Sequence, residues 1–424
     1  MKRIMACVLL ALTALLVACA PTTAPATPTA VPPPAAPTTA TATPVVAAPT
    51  AAPTVAPTPA KPIRIGASLS LTGRYDRTGK EEQNGYKLWE EQINAKGGLL
   101  GRKVELVIYD DKSDPETSAK LYEKLITEDK VDLILGPYSS PVTLPASTVT
   151  EKYKYPMIAA GASETGIWTR GYKYVFGIYT LAPFYLDGAI DLAKKQGYKT
   201  VAAVNENSAF AKDAIKSAKE KAKAAGMTVV FEEEYGRDVK DLSPMLTKIK
   251  ALNPDVLLGG TYGEDATLLV RQSKDLNWAP KIMALTVGPA LPDFNATLKA
   301  DADYIYGATQ WEPGLKGVSD FVNAYKAKYG YEPGYHAAGG YAAAQLLQQA
   351  IEKIKAVDNE KLRDTLATME ATTIYGAYKV DATGAQIAKA SYLVQWQKGK
   401  RVLVWPASVA EAQPILPMPA WNAR

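Results

Sequence analysis

The phrase VDLILGPYSS at residues 131–140 returns with the same grammar as PDVLLGGTYGE at residues 254–264. Each copy puts an aspartate before a short aliphatic run, a glycine where the run ends, and a polar loop beyond it. An uninterrupted apolar run bounded in this way reads as a strand buried on both faces, the condition of a parallel sheet. The flanks agree. Before the first copy come IRIGASL (63–69), a helical stretch with Tyr86, Trp89 and Ile93 on one face and Gly97 as its stop, KVELVIYDD (103–111), and the helix ETSAKLYEKLITEDK (116–130). Before the second come YKTVAAVNEN (198–207), an Ala/Lys-rich helix, MTVVFEEEY (227–235) and the helix LSPMLTKIKALNP (242–254). The pattern β-α-β-α-β written twice predicts two doubly wound α/β lobes with mostly parallel sheets. Ligands of open sheets sit beyond the carboxyl ends of the strands, so the two polar loops are expected to face one cleft.

The amino-terminal region sets the expected compartment. MKR followed by an apolar run through Ala18 has the charged head and apolar core of a secretory signal, and the run is short for a membrane span. It ends in LVAC, which matches a bacterial lipobox; residues 1–18 are therefore expected to be a signal peptide, with Cys19 lipidated as the mature terminus. Cleavage would remove Cys7 and leave no free thiol for disulfide, metal or nucleophilic chemistry. Residues 19–61 are almost all Ala, Thr, Pro and Val, a composition that cannot bury a core and suits a semi-rigid tether. The expected location is outside the cytoplasm, on the membrane through the lipid.

Other chemistries are poorly supplied. The net charge of +5 is spread without a basic block, which argues against nucleic acid as a partner. YSSP at a strand-to-helix turn offers hydroxyls to an exported serine hydrolase, but there is no G-x-S-x-G. The single histidine, His336, opens the long carboxyl-terminal helix, where it is expected to be a solvated or capping residue. No metal-ligand cluster or phosphate-binding loop is present, and no cofactor is implied. Ser140 followed by Pro141 reads as an N-cap and first helical position, and a helix start of this kind favours an anion.

The stretch from IRIGASLSLTGRYDRTGKEEQNGYKLWEEQINAKGGLLGRKVELVIYDDKSDP through LILGPYSSPVTLPAS, YPMIAAGAS and GYKYVFG to RVLVWP resembles the substrate-binding proteins of branched-chain amino acid ABC transporters, the leucine/isoleucine/valine-binding family with the type I periplasmic fold. The resemblance implies two lobes joined by three crossings near residues 175–179, 304–310 and 391–395. One lobe then takes residues 62–178 and 308–390, the other 179–307 and 391–424. It further implies a monomeric, non-enzymatic protein that captures a small carboxylate or amino acid between its lobes and delivers it to ABC permease subunits. A sensory or surface receptor of the same fold is the alternative.

The resemblance places the ligand carboxylate on Ser140, with Ser139 beside it, and on Gly161 and Ser163. Phe210 and Tyr262 stand where the family has aromatics over the ligand side chain, and Tyr75, or Thr78 in its place, in the first-lobe loop. The position of the ammonium-binding acid falls on Thr286, which cannot neutralise an amine. Either Glu206, Glu264 or Asp265 takes over, or the ligand carries a carboxylate and no amine. A cysteine that some members pair near the serine loop is absent, with Tyr138 in its vicinity, so no disulfide carries over.

Overall fold

The computed structural model describes residues 61–424 and the isolated positions 30 and 32. The expected signal peptide and Cys19 lie outside the described residues, as does nearly all of the tether. The first sheet is built from β1 (Ile63–Leu69), α1 (Asp76–Ala95), β2 (Val104–Asp110), α2 (Pro115–Thr127), β3 (Leu133–Leu135), α3 (Ser140–Tyr153), β4 (Met157–Ala159) and β5 (Val175–Gly177). Its strands run in the order β2-β1-β3-β4-β5, all parallel.

The chain continues through α4 (Asp187–Lys195), β6 (Thr200–Glu206), α5 (Ala209–Ala224), β7 (Thr228–Tyr235), α6 (Ser243–Leu252), β8 (Val256–Gly260), α7 (Gly263–Asp275), β9 (Ile282–Leu285), α8 (Phe294–Leu298) and β10 (Tyr306–Thr309). There follow α9 (Ser319–Tyr329), α10 (Tyr335–Ile354), α11 (Asn359–Thr368), the short ribbon β11 (Ala371–Thr373) and β12 (Gly376–Tyr378), and the hairpin β13 (Tyr392–Gln397) and β14 (Lys400–Trp405). The second sheet has the order β14-β13-β10-β9-β8-β6-β7. It is parallel from β10 to β7, and the hairpin adds two antiparallel strands at its edge. The repeated phrase is therefore β3 and β8 with their loops, one in each sheet. Both strands are buried along their whole length, as their aliphatic composition requires.

The α9–α11 segment returns to the first sheet, where α10 lies along α1 with no room between the two backbones. A Cβ on Gly85 of α1 would run into the carbonyl of Ala337, and one on Gly340 of α10 into the carbonyl of Glu82. Around this contact Tyr86, Trp89, Ala338, Leu346 and Leu347 are fully or almost fully buried. The glycines are what allow two long helices to pack this closely, and that contact roots the start of α10, with His336, beside the ends of β3 and β4.

Three stretches of chain link the sheets, and Thr309 with Gln310 gathers them. Gln310, just past β10, accepts from the Thr180 N–H at 2.9 Å and donates to the Thr180 carbonyl at 3.3 Å. The Thr180 hydroxyl donates to the Lys389 carbonyl at 3.0 Å, the Lys389 ammonium donates to the Gln310 carbonyl at 3.0 Å, and the Ser391 hydroxyl to the Thr309 carbonyl at 3.2 Å. Gln310 and Ser391 fall within the expected crossings at 304–310 and 391–395, and Thr180 lies one residue beyond the first. This is the type I periplasmic fold: two α/β lobes on three crossovers.

The close approach of α1 and α10 gives a direct test. Gly85→Ala is expected to lose about 3 kcal/mol through overpacking. Gly236→Ala, where nothing lies within 4 Å of the added Cβ, should change stability by less than about 0.5 kcal/mol. Urea midpoints of the two variants check both.

Candidate functional site

The loop after β3 meets the loop after β4 through paired backbone, Tyr138 against Gly161, and the Ser139 N–H donates to the Gly161 carbonyl at 3.2 Å. That tie moves the helix start back by one residue. Ser139, not Ser140, stands at the cap of α3 without a side-chain capping bond, Ser140 is the first helical residue and Pro141 the second. Ser139 sits at φ 76°, ψ 146°, a conformation that strains a residue with a side chain by about 1–3 kcal/mol. Its buried hydroxyl has no hydrogen-bond partner. A strained, unpartnered hydroxyl at a helix start is the kind of feature found at binding sites.

Ser140 joins the two loops. Its Oγ accepts from the N–H of Ser163 at 3.1 Å and of Glu164 at 3.2 Å, which leaves its own proton to donate. The first-turn N–H groups of α3 add donors and the positive end of the helix dipole. Gly161 cannot carry a side chain, because Glu82 Oε2 and the Tyr138 ring fill the space where a Cβ would go. Ser163 is buried beside the Tyr185 phenol.

Ser140, Gly161 and Ser163 line one side of a cavity whose other side is Phe210, Tyr262 and Val287 from the second lobe. Tyr138, Tyr179, Tyr185, Tyr335 and His336 close it round, leaving about 10 Å³. The aromatic rings interlock: Tyr185 with Phe210 at 5.3 Å between centroids, Phe210 with Tyr262 at 5.4 Å, Tyr262 with Tyr75 at 4.9 Å, and Tyr75 with Tyr138 at 5.7 Å. Five of the eight expected residues therefore meet at this cavity: Ser140, Gly161, Ser163, Phe210 and Tyr262. Tyr75 backs the wall and lines an adjoining cavity of about 80 Å³ together with Arg74 and Thr78.

Thr286 is elsewhere engaged. Its hydroxyl donates to the Thr261 carbonyl at 2.6 Å and accepts from the Thr261 N–H at 2.7 Å, so it staples the loop after β9 to the loop after β8. Val287 lines the cavity in its stead. Of the alternative acids, Glu264 is exposed, while Glu206 and Asp265 are buried and face Arg74, which comes across from the first lobe. Arg74 is paired directly with Glu206 and lies 3.8 Å from Asp265. Asp265 also accepts from the Tyr235 hydroxyl at 2.8 Å and the Tyr262 N–H at 2.9 Å. Arg237 donates to the Tyr75 hydroxyl at 2.6 Å. Burial, with Asp265 adding and Arg74 opposing, pushes the Glu206 carboxyl up to about 7.

His336 corrects the expectation of a solvated cap. It is 1% exposed, packed between the Tyr335 ring at 3.8 Å and the Tyr138 ring at 4.9 Å, because the root of α10 lies inside the cleft. Its Nδ1 is 4.0 Å from a Glu81 oxygen, and neither atom has a hydrogen-bond partner. Burial pushes the imidazole down to about 3 and Glu81 up to about 7, the latter against the pull of Arg401 and Arg77. Sequence reasoning also missed Tyr138, Tyr179, Tyr185 and Tyr335 as lining residues. The available signal was composition, 24 tyrosines against 6 phenylalanines, since rings with polar tips suit a cleft that is half core and half site.

A model of the family described as periplasmic binding protein matches residues 62–401. The Leu/Ile/Val-binding protein homolog 7 of Brucella suis biovar 1 (strain 1330) is 27% identical over 379 residues, 84% of this chain and 94% of the relative. A branched-chain amino acid transporter substrate binding protein, LivJ from Streptococcus pneumoniae in complex with isoleucine, is 26% identical with a TM-score of 0.73, covering 84% of this chain and 100% of that one. An ABC transporter solute binding protein from R. palustris in complex with benzoate shares the fold at a TM-score of 0.72 and 22% identity, covering 84% of this chain and 99% of that one. With the matched region spanning both lobes and the crossovers, the chain belongs to the periplasmic binding protein family and is similar to its Leu/Ile/Val-binding members, solute-binding transport components rather than enzymes.

Proposed function

We propose that this protein is an extracytoplasmic substrate-binding lipoprotein that captures a small organic carboxylate between its lobes and delivers it to the permease of an ABC importer. The observation that carries the reading is the meeting of Ser140, Gly161 and Ser163 from one lobe with Phe210 and Tyr262 from the other across a single cavity. The first group supplies donors to an anion and the second an apolar wall, which is the division of labour a small amphiphilic acid needs. Isoleucine and benzoate, bound by the two similar proteins, both have that build. A cavity of about 10 Å³ is far smaller than either, so entry requires the lobes to part and binding draws them together. The lipid on Cys19 and the tether would keep the folded part close to the permease.

Hydrogen bonds to a charged ligand group contribute about 1.5–3 kcal/mol each. Ser163→Ala is therefore expected to weaken the preferred carboxylate by about tenfold or more. Calorimetry against a panel of amino acids and of aliphatic and aromatic acids measures this; unchanged affinity for every acid bound would remove Ser163 from the site. Ser140→Ala takes an acceptor from two backbone N–H groups as well, so a lower melting temperature should accompany its loss of affinity.

The neutral histidine sets a second expectation. His336 has its folded-state value near 3 against 6.5 when free. The unfolded chain thus holds more protons between these limits, and this contribution to stability is lost as pH falls from 6.5 toward 3. Glu81, raised from 4.5 to about 7, acts in the opposite sense: the folded chain holds its proton there, and that contribution fades as pH rises through 7. His336→Gln should gain on the wild type by up to about 3 kcal/mol between pH 7 and pH 4. Melting temperatures of both proteins across that interval test the sign.

A further inference from the structure

We propose that Arg74 sets the ligand class: by occupying Glu206 and Asp265 it leaves the cleft without a free anion for an amine, and so reserves the site for carboxylates that lack an α-amino group. This inference rests on the solute-binding reading above and names the substrate class of the same site.

The acids that could receive an ammonium can be counted one by one. Glu206 ends β6 and Asp265 lies in the first turn of α7, both with side chains almost wholly buried, and the guanidinium of Arg74 reaches both. Asp265 also accepts from the Tyr235 hydroxyl and the Tyr262 N–H, one bond on each oxygen. Glu264 is exposed on the rim. At the loop after β9 stands Thr286, closed upon Thr261. On the first-lobe side, Glu81 and Glu82 lie behind His336 and Gly161 and do not line the cavity. No acid lines the cavity itself among the described residues.

Arg74 also takes the aromatic positions an ammonium would seek. Its guanidinium carbon is 6.0 Å from the centroid of Tyr75 and 6.0 Å from that of Tyr262, the ring faces to which a cation is drawn. It donates to the Arg237 carbonyl, which fixes it there, and a guanidinium stays charged at any pH the protein meets. Arg74 lines the adjoining cavity, which shares Tyr262 and Val287 with the ligand cavity, so the protein's own cation stands next to the ligand's place. A second cation in the cleft would be buried without a counter-ion, a heavy penalty. Glu206 Oε1 has no hydrogen-bond partner, so removing Arg74 would present a ready acceptor for an amine.

The test is calorimetric titration of the purified protein with two matched pairs, leucine against 4-methylpentanoate and phenylalanine against 3-phenylpropanoate. Members of a pair differ only in the amino group. The wild type is expected to bind the better deaminated acid at least about tenfold more tightly than its amino acid partner. Arg74→Met should shrink or reverse that preference and Arg74→Lys should keep it, with circular dichroism and melting curves confirming that each variant folds. Equal or tighter binding of the amino acids by the wild type would overturn the inference while leaving the solute-binding reading intact. An unaltered preference in folded Arg74→Met would overturn it as well. Failure of all four compounds, and of the wider acid panel, would overturn both readings.

Discussion

Gln310 holds the two lobes in register, and the site exists only because of that register. Its side-chain amide bonds Thr180, its carbonyl receives Lys389, and Thr309 beside it receives Ser391, so all three crossovers meet within one residue's reach. Gln310, Thr180 and Ser391 are almost completely buried. Buried polar groups that satisfy one another specify a geometry as well as supporting it. With the crossovers pinned there, the carboxyl ends of β3 and β4 face those of β6 and β8. Ser140 and Ser163 then look across at Phe210 and Tyr262. On the proposed reading, a swing about these crossovers would separate the two sets without disturbing either sheet.

The lining is tyrosine-rich for a physical reason. With the lobes together the cleft is core, and Tyr138, Tyr179, Tyr185, Tyr262 and Tyr335 are each at most 5% exposed. When the lobes part, the same surface meets water. Phenylalanine would favour closure with nothing bound, whereas a phenol keeps a hydroxyl that water can solvate in the open form and a ligand or neighbour can engage in the closed one. Neutral His336 fits this pattern, since an imidazolium there would carry its charge into the closed cleft with only Glu81, itself raised by burial, nearby.

Most of the fold was legible because its signals are local. The aliphatic runs of β3 and β8, the glycines at their ends and the helical stripe of Tyr86, Trp89 and Ile93 can be read without knowing what packs where. Ser140, Gly161 and Ser163 were found through resemblance, and the cap was misplaced by one residue because the Tyr138–Gly161 pairing that shifts it is a contact between distant segments. His336 looked like an exposed cap because its burial depends on α10 lying along α1, which the glycines at 85 and 340 permit but do not announce. Arg74 was invisible for the same kind of reason. Its partners are more than a hundred residues away and in the other lobe.

Closure and selectivity are therefore not separate properties of this cleft. The contact of Arg74 with Glu206 joins the two lobes, so on the proposed reading it supports the closed state and also removes the nearest anion from the ligand's reach. A buried pair of this kind gains little over its desolvation when intact, yet loses heavily when one partner is missing. Closure without Arg74 would bury Glu206 and Asp265 with only Arg237 to offset them, and a ligand amine would be the natural replacement. Arg74 and Arg237 together stand against Glu206 and Asp265 inside the protein, and on the proposed reading the ligand supplies an anion for the donors at Ser140 and Ser163 and apolar surface for the rings opposite.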